Sequence, residues 1–135
     1  MTYNGIIEQK LKVIDEKIQT IRSWQVDSFD KLNKSSLLQN ASERALQVAV
    51  EVMIDVSERI LALRNVTPHH TAVENIEKLQ ELGILSKEAE YKNMVRFRNF
   101  IVHRYEKIDQ SIIYGIIKNK LHFFEKFVME IRKAG

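Results

Sequence analysis

Apolar residues recur along this chain at helical spacing. Ile7, Leu11, Ile14, Ile18 and Ile21 follow one another at steps of four and three, the period that places side chains on one face of an α-helix. A first helix is therefore expected from Gly5 to about Trp24. Asp27 to Lys34 is polar and reads as a connection. In a second segment, Ser35 to Arg64, one face is lined by Leu38, Ala41, Ala45, Ala49, Met53, Val56 and Ile60, and Leu46, Val50 and Ile54 widen it. So broad an apolar face predicts a central helix. Asn65 to His70 holds the only proline, which breaks the pattern. A third segment opens at Thr71, which with Glu74 has the form of a capping box. Val73, Ile76, Leu79 and Leu82 form its apolar side, and Gly83 ends it. A fourth is expected from Ser86, as N-cap, to about Val102. A fifth runs from near Asp109 to about Arg132 on the stripe Ile113, Ile117, Leu121, Phe124, Val128 and Ile131. The alternation that strands require is absent. The expected fold is all-α, an up-and-down bundle of about five helices. At 135 residues the chain suits a single domain spanning 1–135.

Composition narrows the function classes. Hydrophobic residues make up 44% and charged residues 29%, enough for a core and unlike a disordered or membrane chain. With no cysteine, disulfides, thiolate metal sites and cysteine nucleophiles are excluded. No apolar run approaches the ~20 residues of a membrane span. Met1 to Lys12 lacks the layout of an export signal, so a cytoplasmic location and no membrane partner are expected. The net charge of +3 is compatible with an anionic partner such as RNA, as it is for many soluble proteins.

The segment that changes the picture is Arg96-Phe97-Arg98-Asn99-Phe100-Ile101-Val102-His103-Arg104-Tyr105, which contains the pattern R-N-x-x-x-H-x-Y. Cleavage of RNA through its own 2′-hydroxyl needs a proton acceptor, a donor to the leaving oxygen, and positive charge for the developing phosphorane. An unperturbed imidazole, as at His103, can accept or donate a proton close to neutral pH. Arg98 stays charged and offers a planar fork to phosphate oxygens. Tyr105 can donate to phosphate or stack on a base. Asn99 suits an orienting role. No metal or cofactor is required by this set. Singly, each residue also has an ordinary use: a histidine near a helix end, a solvated arginine, a packing tyrosine.

Helical geometry sets a constraint on this group. Residues five apart are about 140° apart round an ideal helix, so Arg98 and His103 do not share a face, whereas Asn99 and His103 do. Either Arg98 curls round the helix, or the helix distorts before His103, or a second subunit supplies part of the site.

Other polar residues are less specific. Asp55 interrupts the apolar run of the second helix. It either pairs with the motif helix at Arg98 or Asn99 or faces solvent, and Glu51, four residues earlier, would share its role. His69 and His70 read as a polar loop rather than a metal site, and His122 as a surface residue. Lys87, Lys92, Arg96, Arg104 and Lys107 would widen a positive surface around the motif.

The pattern of Arg98, His103 and Tyr105 resembles that of the HEPN superfamily, and specifically the HepT-like toxins, whose hallmark is R-x-x-x-x-H-x-Y. Ser42 to Gln47, Ile54-Asp55-Val56 and Leu82 to Ser86 are similar to the family's second helix and to the turn before its motif helix. The resemblance extends over roughly Glu8 to Ile131. It implies a HEPN-like bundle, a homodimer with the two motifs in one cleft, and a metal-independent endoribonuclease. Arg98 would hold the scissile phosphate, His103 would serve as general acid or base, and Tyr105 would position RNA. It further implies an RNA substrate, transfer RNA in kind. The partner would be an MNT-type nucleotidyltransferase antitoxin that can transfer AMP to Tyr105, within a larger hetero-complex. The alternative from another class is a catalytically weak helical module that binds a nucleotidyltransferase or a nucleotide.

Overall fold

All five residues of the first predicted stripe are buried on α1 (Gly5–Ser23). The structure, a computed structural model, describes residues 5–68, 71–102 and 108–135, the side chains of 100–102 apart. The chain turns at Gln25, whose φ of 50° is left-handed. The Lys31 ammonium donates to the carbonyls of Trp24 and Gln25 at 3.1 and 2.7 Å. It thereby satisfies carbonyls left open at the end of α1.

The stretch expected to be a plain connection contains a five-residue helix, α2 (Phe29–Asn33). Ser28 caps it by accepting from the Lys31 backbone N–H at 3.1 Å, and Leu32 is fully buried beneath it. Two apolar residues among polar neighbours, Phe29 and Leu32, are too few to set a period, so the pattern could not announce a single turn of helix.

The long α3 (Ser36–Leu63) begins at Ser35, whose hydroxyl accepts from the Leu38 N–H. It packs against α1, α2, α4 (Ala72–Glu81), α5 (Ala89–Val102) and α6 (Gln110–Asn119), the central position its wide apolar face predicts. Asn65, with φ 59°, turns the chain out of α3. Thr71 caps α4 through the Glu74 N–H at 3.1 Å, the N-cap half of the expected capping box. Gly83, at φ 76°, follows α4 as expected.

Two expectations need correction. Helix α5 starts at Ala89, not at Ser86. Ser86 instead donates its N–H and hydroxyl to Glu130 at 3.0 and 3.2 Å. That residue lies on α7 (Leu121–Ala134). A serine that binds a distant carboxylate looks identical in sequence to one that caps its own helix. The fifth predicted segment is two helices, because Lys120 leaves helical geometry at φ −126°, ψ −2° between α6 and α7. All six stripe residues are nevertheless buried on both sides of the break. The burial period runs through it, which is why the pattern alone showed one helix.

These faces form one apolar core shared by all the helices. Arg132 and Arg22 on opposite ends of the α1–α7 pair bind Glu8 and Glu125 respectively, across two antiparallel helices. Among the described residues there is no strand, and no helix long and apolar enough to cross a membrane.

Candidate active site

The motif helix α5 is held by its first turns. Tyr91 is fully buried, its ring edge-on to Phe127 at 5.8 Å, and its hydroxyl donates to Glu130 at 2.8 Å. Burial, with the hydrogen bond to the Glu130 carboxylate second, pushes this phenol well above its ordinary range. The same Glu130 oxygen receives Ser86. Ion pairs Lys126–Glu88 at 3.3 Å and Lys120–Glu90 at 3.0 Å flank it. Together with buried Met94 and Val95, these contacts fix the start of α5.

Near that far end, Arg98 is half-buried and Asn99 exposed. The Arg98 Nη1 donates to the Asn99 side-chain oxygen at 3.1 Å. The Arg98 Nε is buried and has no hydrogen-bond partner among the described residues. A buried donor left unmatched is costly, and a guanidinium fork with spare donors suits a phosphate oxygen. His103 and Tyr105 lie outside the described residues, as do Arg104, Lys107, His69 and His70.

Asp55 does not join this group. It pairs with Lys10 of α1 at 2.5 Å and with Arg59 at 3.1 Å, and its side chain stays 37% exposed. Of its two readings, the pair with Arg98 or Asn99 is not made, and the partly exposed side chain is nearer to the solvent-facing one. Asp55 lies about 140° round α3 from Val50, and Val50 shares a groove with Met94 and Phe97 of α5. The apolar neighbours of Asp55 in sequence point inward while it points toward α1. Burial raises its pKa, but the hydrogen bond and charge of Lys10 and those of Arg59 outweigh this, so the carboxyl sits below its ordinary value. Glu51 accepts from Gln47 of its own helix at 3.1 Å and makes no hydrogen bond to Arg98 or Asn99.

Sequence reasoning passed over two features. Glu43 is 7% exposed, a carboxylate on the same inward row as Leu46, Val50 and Ser57. The signal was present, since a charge in phase with an apolar stripe is buried. The second is a groove of about 390 Å³ beside the motif helix, walled by α5, α6 and the start of α7, with Phe97, Gly115 and Phe124 among its lining. Lys92 binds Glu77 at 3.8 Å and Arg96 donates to Asn93 at 3.2 Å, while Lys87 and His122 are exposed. Among the described residues no group of three or more His, Asp or Glu is placed to hold a metal ion.

Comparisons with known proteins agree with this arrangement. The family described as ribonuclease HepT-like matches residues 14–131. A tRNA nuclease HepT of Aphanizomenon flos-aquae is 27% identical over 93% of this chain and 87% of its own. An mRNA nuclease HepT of Shewanella oneidensis is 24% identical over 96% of this chain and 98% of its own. Among solved structures, a tri-AMPylated HEPN toxin of Shewanella oneidensis in complex with MNT antitoxin has a TM-score of 0.88. Its identity is 24%, over 98% of this chain and 100% of that one. The cytosolic protein YutE of Bacillus subtilis has a TM-score of 0.82 at 17% identity, over 99% of this chain and 92% of that one. At these identities the structural likenesses establish the fold. With the helical bundle, the position of Arg98 near the end of α5 and a family match over most of its length all in accord, the chain belongs to the HepT-like ribonuclease family.

Proposed function

We propose that this chain, a single HEPN-like domain over residues 1–135, is a metal-independent endoribonuclease acting in the cytoplasm as the toxin of a toxin–antitoxin pair. The observation that carries the reading is the coincidence of the family match with Arg98, whose buried Nε is unmatched among the described residues on the helix that leads into the motif. Arg98 holds the scissile phosphate and stabilises the charge that develops on it. Asn99 holds the guanidinium by its 3.1 Å hydrogen bond. His103 takes the 2′-hydroxyl proton or returns one to the leaving oxygen. Tyr105 positions the RNA.

Because Arg98 and His103 point about 140° apart on an ideal helix, one chain is poorly arranged to use both on one phosphate. A homodimer solves this by facing two motifs across a two-fold axis. The relatives include one named as a tRNA nuclease and one as an mRNA nuclease. We take RNA as the substrate class and transfer RNA as the kind to test first. The similar fold seen as a tri-AMPylated toxin with MNT antitoxin supports a nucleotidyltransferase partner. AMP on Tyr105 would add negative charge and bulk within the RNA cleft and exclude substrate.

The test is expression of wild type and His103→Ala in cells without an antitoxin. Growth arrest with RNA fragments for wild type alone is expected. Equal, harmless behaviour of the two proteins would defeat the reading.

A further inference from the structure

We propose that the groove between α5, α6 and the start of α7 is a nucleobase subsite, which seats one base of the RNA next to the phosphate held at Arg98. The inference rests on the nuclease reading for its biological ligand. It stands on two features of the groove itself.

The first is Gly115. It lies inside α6, where glycine is unfavourable relative to alanine because it adds backbone freedom to the unfolded chain. No turn requires it, and its φ is not left-handed. No packing contact among the described residues requires it either, since a Cβ built at Gly115 would meet none of their atoms within 4 Å. The fold gains nothing from a bare backbone here. Yet Gly115 lines the groove, where the missing side chain lets a flat group lie directly against the helix.

The second is the chemistry of the walls. Phe97, Ile112 and Ile116 provide accessible apolar surface over buried Val50 and Phe124, as a base face requires. Asn93 and Asn119, both exposed, stand on opposite helices of the groove. A side-chain amide offers both a donor and an acceptor, which matches the edge of a base. The groove, about 390 Å³, is at the small end of ligand sites. It also lies in the right place. On α5 it extends from Asn93 to Phe97, about 6 Å at 1.5 Å per residue, and it ends one residue before Arg98.

Titration of the 15N-labelled full chain with the four nucleoside 5′-monophosphates, read by amide NMR, tests this directly. Saturable shifts are expected at the Gly115 amide and at the side-chain amides of Asn93 and Asn119 for at least one base. Ribose 5-phosphate, which lacks a base, should leave these signals in place. Gly115→Leu should abolish the shifts and raise KM for RNA about tenfold, the effect of one stacked base, with kcat changed less than about twofold. Gly115→Ala should raise the melting temperature by a few degrees while weakening monophosphate binding, a pair of opposite effects that a purely structural glycine would not produce. Unmoved signals, identical shifts with ribose 5-phosphate, or a wild-type KM in Gly115→Leu would overturn the subsite. A Gly115→Leu protein that sediments as a smaller species than wild type would also overturn it, by making the groove a contact between copies. Base-dependent shifts in a protein that never cleaves RNA would retain the subsite and defeat the nuclease reading alone.

Discussion

Arg98 and Asp55 are both charged, helical residues, and their surroundings give them opposite work. Arg98 has one bond to Asn99 and a buried Nε unmatched among the described residues. A lysine there would keep the charge but lose the planar fork. Arg98→Lys is expected to lower RNA cleavage by roughly a hundredfold, the scale for one lost transition-state donor. Its melting temperature should stay near that of wild type, which thermal unfolding alongside the cleavage assay checks. Asp55 instead joins α1 to α3 through Lys10. Its pKa is lowered on folding, so its contribution is present above the ordinary value of 3.8 and is lost as pH falls through and below it. Because the pair is partly exposed, the contribution is about 0.5–1 kcal/mol. Asp55→Asn should cost that much in urea unfolding at pH 7 and almost nothing near pH 2, with RNA cleavage unchanged.

At the level of elements, the feature that matters is how α5 is clasped to α7. Glu130 receives Tyr91 and two groups of Ser86 on one oxygen. Replacing Tyr91 by Phe removes one hydrogen bond of that set and leaves the ring packing on Phe127, a loss of about 1–2 kcal/mol. The pH dependence has a definite sign. The Tyr91 pKa is raised on folding, so neutral Tyr91 stabilises the fold fully below its unfolded value of 10.0, and that part is lost as pH rises above it. Wild type should therefore lose its advantage over Tyr91→Phe as unfolding is measured from pH 9 to pH 11. A constant difference across that range would mean that the clasp does not depend on the phenol proton.

At the level of the whole molecule, the separation of Arg98 and His103 that an ideal helix would give becomes a statement about assembly. If each site takes arginine from one chain and histidine from the other, Arg98→Ala and His103→Ala are each inactive alone but complement when mixed. A mixed dimer then has one intact site and one doubly damaged one. Half of the dimers are mixed at equilibrium, so activity should return to about a quarter of wild type. If both groups act within one chain, mixing restores nothing. Co-refolding of the two variants followed by an RNA cleavage assay distinguishes these outcomes.

Much of this was legible in the linear order of residues, and the remainder has identifiable physical causes. Helix identity, the central place of α3, the Thr71 cap and the terminating Gly83 follow from local rules: the 3.6-residue period, short-range hydrogen bonds and glycine's access to positive φ. The R-N-x-x-x-H-x-Y pattern is equally local, and it marks the family from the sequence alone. What required the tertiary structure was every fact that depends on which helix lies opposite. Asp55 met Lys10 rather than Arg98. Ser86 bound Glu130 rather than its own helix. Lys120 broke a helix whose burial period runs on unbroken, and Gly115 opened onto a groove. Periodicity records which face of a helix is buried, but not what covers that face, because the partner comes from residues far away along the chain and is chosen by packing.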